Sequence, residues 1–177
     1  MAASGSQEQF RLGFLTAIED PERGYVGGLL ITNRFGRPLE FQCTAPVKPN
    51  RTQQILYGPT LKPFVLGELI GRTLVEKAGV KPHLVLTEHD DLLDLRDYVS
   101  VPVASLSDLP MAKSGESGPK RLKLGNQLLT FHGGHDEDRT EIERQAAQIP
   151  SSADLKEPFD RVREALTETI KAATAAR

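Results

Sequence analysis

Gly27-Gly28-Leu29-Leu30-Ile31-Thr32, then Asn33-Arg34-Phe35-Gly36-Arg37-Pro38, then Leu39-Glu40-Phe41-Gln42-Cys43-Thr44-Ala45: this run decides the fold of the 177-residue chain. The middle third carries Gly36, as hairpin connections of four or five residues do, and the flanks read as strands. The first strand is apolar on both faces, which suits a central strand covered on two sides. The second alternates. Leu39, Phe41, Cys43 and Ala45 share one face; Glu40, Gln42 and Thr44 share the other. That pattern predicts a half-exposed strand with the apolar face inward, and so a buried, unreactive Cys43.

Upstream, Arg11 to Glu19 alternates as a first strand, and Asp20-Pro21-Glu22-Arg23-Gly24 turns it antiparallel onto the second. Downstream, Pro46 to Gly58 is a polar hinge. Asn50 is the expected N-cap, with Gln53 three residues on as a capping-box partner, opening a short helix from Arg51 to Tyr57. Leu61 to Ala78 has helical apolar spacing and Gly79 ends it. His83 to Thr87 is a fourth strand, Leu92 to Tyr98 a short helix and Val101 to Ser105 a fifth strand. A helix between the last two strands implies a parallel pair.

The expected class is therefore α/β with a mixed sheet: three antiparallel strands, helix, strand, short helix, strand. Residues 1–10 are expected to fray, 11–106 to form the α/β core domain and 107–119, rich in Ser, Gly, Pro and Lys, to be a linker. Residues 120–177 offer a hairpin around Gly125-Asn126 and two helices packing on the core. The last helix carries an apolar stripe of Leu155, Phe159, Val162, Leu166, Ile170 and Ala173, able to serve the core in cis or an oligomer in trans.

The element order of residues 11–105 resembles the RNase H-like fold. That resemblance implies metal-dependent phosphodiester hydrolysis by carboxylates on the first strand, in the first helix and at the end of the fourth strand. Glu68 is in the matching helix and Glu88 ends the matching strand. The middle of the first strand holds Phe14, Leu15, Thr16 and Ala17, with Glu19 and Asp20 only at its end. The hairpin Gly28 to Gln42 followed by a long helix also resembles roadblock/longin-type modules, which implies binding of partner proteins.

Composition sets further expectations. With 22 basic and 24 acidic residues the formal charge is −2, so bulk charge does not favour nucleic acid as a partner. The single cysteine precludes an intrachain disulfide; with no secretory signal pattern and no apolar run of membrane-spanning length, the expected location is cytoplasmic, off the membrane.

Three stretches carry candidate chemistry. Lys48, Asn50, Arg51, Gln54 and Tyr57 crowd the hinge with more polar groups than a cap needs, and are expected to form a ligand-binding rim suited to a small anion. Glu88-His89-Asp90-Asp91 lies at the carboxyl end of a parallel strand, where open α/β sheets bind ligands. His132 and His135 are weak metal candidates, since two histidines around two glycines fix no third ligand. No cofactor is expected. The sequence taken alone points to a non-catalytic interaction or ligand-binding module with a protein partner, with the last helix open to packing in cis or to a homo-oligomer in trans. The alternative is a metal-dependent nuclease using Glu68 and Glu88.

Overall fold

The computed structural model describes residues 9–108 and 121–176. Most of the stretches expected to fray (1–10) or link (107–119) lie outside the described residues. The described chain builds one seven-stranded mixed sheet of the RNase H-like type. In chain order the strands are β1 (Leu12–Asp20), β2 (Gly24–Thr32), β3 (Pro38–Cys43), β4 (Leu84–Thr87), β5 (Val103–Asp108), β6 (Arg121–Leu124) and β7 (Gln127–Phe131). Their spatial order is β3-β2-β1-β4-β5-β7-β6.

β1 to β3 form an antiparallel meander, while β4 pairs parallel with both β1 and β5. The hairpin β6–β7 continues the sheet beside β5 rather than standing apart from it. Its turn needs the positive φ of Gly125, 55°, which a side chain would resist.

Helical layers cover both faces. On one lies α1 (Arg51–Tyr57), a 3-10 turn (Gly58–Thr60), α2 (Leu61–Pro63), a π-helical stretch (Phe64–Gly71) and α3 (Arg72–Lys77). The segment expected as one α-helix from Leu61 to Ala78 is thus widened in its middle. The wide turns carry Gly67 and Gly71, and a Cβ on Gly71 would stand 3.0 Å from both the Leu66 carbonyl and Leu95 Cδ2. On the other face lies α5 (Glu157–Ala175), with α4 (Glu137–Gln145) nearer β6.

Each layer has its own core. Leu15, Leu29, Ile31, Val65, Ile70 and Leu74 fill the first. Phe14, Leu30, Leu86, Phe159, Val162 and Leu166 fill the second, where the Phe14 and Phe159 rings meet edge to face with centroids 5.4 Å apart. Each fully buried side chain of this size contributes roughly 1.5–3 kcal/mol. Both layers press closest on β2. A Cβ on Gly27 would overlap Ile70 Cγ2 at 2.0 Å, and one on Gly28 would meet Val162 Cγ1 at 2.8 Å. The glycine pair is what lets two helices approach one strand from opposite sides.

Two expectations are corrected here. Phe41 and Cys43 are exposed, not buried. The Glu40 carboxylate accepts hydrogen bonds from Gly79 N (3.0 Å) and Val80 N (2.6 Å), so β3 turns its polar face toward the end of α3. Those bonds hold Glu40's pKa below its ordinary value. α5 covers β1 and β2, leaving the apolar face of β3 open. The stripe on α5 is spent in cis: Phe159, Val162 and Leu166 are buried within this chain, which removes the basis for a homo-oligomer through that helix. Among the described residues no helix is long and apolar enough to cross a membrane.

Candidate functional site

Parallel pairing of β1 with β4 brings their carboxyl ends side by side, Leu15 opposite Thr87. Just beyond that register, Thr16 Oγ1 lies 3.1 Å from His89 Nε2, and the His89 backbone N–H donates to Thr87 Oγ1 at 3.1 Å. Both threonines are buried. The Thr16 hydroxyl thus holds the imidazole of His89 while the Thr87 hydroxyl holds its backbone. Burial, reinforced by Lys62, holds its pKa below the ordinary value against the opposing pull of Glu88 and Asp91.

Next to it, Arg163 reaches from α5 to donate to Glu88 through Nη1 and to Asp160 through Nη2. Burial works against the Arg163 charge, but these bonds outweigh it and raise its pKa. From the opposite layer Lys62 Nζ stands 3.8 Å from Asp91 Oδ2. An imidazole, three carboxylates and two cations thus gather at the carboxyl end of β1 and β4.

The hinge belongs to the same end of the sheet. Tyr25, near the start of β2, pairs with Val47 across two backbone hydrogen bonds of 2.8 Å, and Lys48 Nζ donates to the Glu22 carbonyl at 2.7 Å. Asn50 and Gln53 form the expected capping box. Gln54 Nε2 donates to the Pro49 carbonyl and Tyr57 stacks on Phe64 at 4.5 Å. Arg51 is exposed, and no residue of α1 is buried. Of the five rim residues, four thus make contacts within the hinge and its neighbours.

The carboxylates expected for a metal-dependent site do not gather. Among the described residues the one group with ligand atoms close enough to hold a metal is Asp97, His132 and His135, and it includes none of Glu19, Asp20, Glu68 or Glu88. β1 offers Thr16 where the chemistry needs an acid. Asp20 is used in its own turn, accepting from the Glu22 and Arg23 N–H groups, and Glu88 is claimed by Arg163. A two-metal carboxylate centre does not fit these residues.

His132 and His135 do acquire the third ligand that spacing could not supply. His135 Nε2 lies 3.1 Å and His132 Nε2 3.6 Å from the two Asp97 carboxylate oxygens. The tautomer opposes metal, however. The Gly134 N–H donates to His132 Nδ1 at 3.0 Å, so in the neutral ring Nε2 carries the proton. A metal-bound imidazole instead uses that nitrogen's lone pair and donates through the other one.

A recess with polar walls lies at the opposite end of the sheet, near Leu12, Thr32, Arg34 and Arg161. Nothing in the hairpin sequence beyond the turn glycine had marked it. The arginine of the β2–β3 turn and the arginine in the second turn of α5 meet only in the fold.

No protein-family model and no curated protein matches the sequence. Solved structures do. Human endonuclease V aligns at 13% identity over 93% of this chain and 87% of its own, with a TM-score of 0.49. Ciona intestinalis endonuclease V, in complex with a 23mer DNA containing an inosine followed by a ribo-adenosine, aligns at 10% identity over 92% and 87%, with a TM-score of 0.48. The Bacillus subtilis endonuclease V aligns at 8% over 93% and 83%, with a TM-score of 0.46. No residue role is carried from them to this chain. They are nucleases, some holding DNA, and with them the expectation of a protein-binding interaction module that disfavours nucleic acid is corrected. A formal −2 averages over the whole surface, whereas Lys62 and Arg163 reach the carboxyl end of β4 from opposite layers.

Proposed function

We propose that this protein hydrolyses phosphodiester bonds of nucleic acid at the carboxyl end of β1 and β4. The observation that carries this is the seating of His89, its pKa lowered, between Thr16 and Thr87 with Arg163 and Lys62 around it. An imidazole kept neutral near pH 7 accepts a proton from water. The water oxygen bonds to phosphorus, the bond to the leaving nucleoside oxygen breaks with that oxygen taking a proton from solvent, and the two cations offset the charge that builds on the phosphoryl oxygens. Glu88 holds Arg163 until phosphate displaces it. Lys48 and Arg51 on the hinge are the proposed contacts for the neighbouring backbone, with Asn50, Gln54 and Tyr57 shaping that rim.

The test uses labelled single- and double-stranded DNA and RNA with the full chain, at low and high salt, with magnesium or with chelator. Binding that weakens steeply with salt is expected, as is cleavage that persists in chelator because the carboxylates do not form a metal set. His89→Ala should abolish cleavage and spare binding, while Arg163→Ala should weaken binding about tenfold, the size of one charge-assisted contact. Absence of binding to every substrate at low salt, or cleavage unchanged in His89→Ala, would overturn the proposal.

A further inference from the structure

We infer that the cavity at the amino end of β1 is a binding site for one phosphorylated nucleotide unit, separate from the strand-end site around His89. The cavity encloses about 290 Å³ between the start of β1, the β2–β3 turn, the loop before α5 and the first turns of α5. Its floor is apolar, from the buried Leu12, Phe14 and Leu155. Its walls carry two guanidinium groups, Arg34 and Arg161. The Nε atom of each is buried with no hydrogen-bond partner. Arg161 Nε does stand 3.0 Å from Glu157 Oε1, a charge contact without hydrogen-bond alignment, while its Nη1 donates to the Gly36 carbonyl at 3.0 Å. A buried donor left unmade is costly, and two of them on one cavity call for an acceptor with several oxygens.

The display of Arg34 is rigid. Asn33 Oδ1 accepts from the Phe35 and Arg37 N–H groups at 2.9 and 3.0 Å, and Gly36 closes the turn at φ 83°. Arg34 lies over the Phe35 ring at 4.7 Å, and that ring is 71% exposed. Guanidinium groups recognise phosphate by paired donors, and an exposed aromatic face stacks a nucleobase. An anion alone has no use for the apolar floor or the ring; a planar apolar ligand alone leaves the two Nε donors unmet. A nucleotide answers both. The acids on the wall restrict its charge. Asp154 Oδ1 already accepts from the Lys156 and Glu157 N–H groups, but its charge and that of Glu157 oppose a polyphosphate. The site therefore suits a monophosphate, free or at the end of a strand.

Calorimetric titration of the full chain tests this with adenosine monophosphate, adenosine, inorganic phosphate, and an oligonucleotide with and without a terminal phosphate. Adenosine monophosphate should bind more tightly than adenosine or phosphate. Arg34→Ala, on an exposed turn, should weaken it about tenfold with an unchanged melting temperature. Phe35→Ala should weaken adenosine monophosphate and leave phosphate unaffected. Competition between adenosine monophosphate and the phosphorylated oligonucleotide at an Arg34-dependent site identifies a strand end as the ligand; an Arg34-dependent response to the mononucleotide alone identifies a free nucleotide. Arg163→Ala should leave adenosine monophosphate binding unchanged, which separates this site from the strand-end site. Equal affinity for phosphate and adenosine monophosphate, or wild-type affinity in both Arg34→Ala and Phe35→Ala, overturns the inference.

Discussion

The two ends of the sheet are built on opposite plans. At the carboxyl end of β1 and β4 the charged groups sit in contact with one another: Arg163 with Glu88 and Asp160, Lys62 near Asp91, His89 against Thr16. At the amino end a cavity leaves two guanidinium nitrogens without hydrogen-bond partners. A ligand at the first end must compete with existing ion pairs, and so gains specificity at some loss of affinity. A ligand at the second would meet buried donors that no protein group satisfies. Position in the fold singles out the first end; unmet chemistry singles out the second.

The amino end also contains the most deeply held ion pair. Arg96 Nε and Nη2 donate to the Asp138 carboxylate at 2.7 and 3.2 Å while Nη1 donates to the Val99 carbonyl at 2.8 Å, with side-chain exposures of 13% and 4%. Asp138→Ala leaves the Arg96 charge buried and alone and should cost about 3–5 kcal/mol, read as a fall in the urea midpoint. A loss under 1 kcal/mol would show that water reaches Arg96 and that the pair is not deeply held.

A smaller effect is expected at the hinge. Asn50→Ala removes a capping box from an exposed helix and should cost about 1 kcal/mol, whereas Arg51→Ala should leave the melting temperature unchanged and weaken oligonucleotide binding. Equal thermal effects from both would make the rim purely structural.

The smallest effect separates the ends by pH. Because the folded chain binds a proton at His89 less readily than the unfolded chain does, stability should decline as pH falls from about 6.5, the ordinary value for histidine, toward the folded value. The difference between urea midpoints at pH 7.5 and 5.5 should shrink in His89→Gln. An undiminished difference would show that His89 is not the source of the effect.

The strand succession was legible because each strand carries its own period and each turn its own glycine or proline. The helix Arg51–Tyr57 emerged with the expected bounds since its cap and its partner are three residues apart. What stayed hidden depends on distant pairs. Glu88 reads as a free carboxylate until Arg163, 75 residues later, takes it. Cys43 reads as buried because alternation says which residues share a face but not which face is covered; Glu40 binding the end of α3 decides that. The third group beside His132 and His135 is Asp97, supplied by a helix before β5. Arg34 and Arg161 have no shared signal at all. The π-helical widening at Phe64–Gly71 was likewise out of reach, since its apolar spacing reads as ordinary helix.

The late place of α5 in the chain has a consequence for synthesis. It is the cover for the Phe14, Leu30 and Leu86 face, yet it leaves the ribosome after every strand it covers. A nascent chain that has reached the end of β7 already holds all the strands with one side bare. Exposed apolar sheet of this kind invites association before folding completes. Chains arrested before Glu157 should therefore require a holding chaperone until α5 brings Val162 and Leu166 into the slot that Gly28 leaves open.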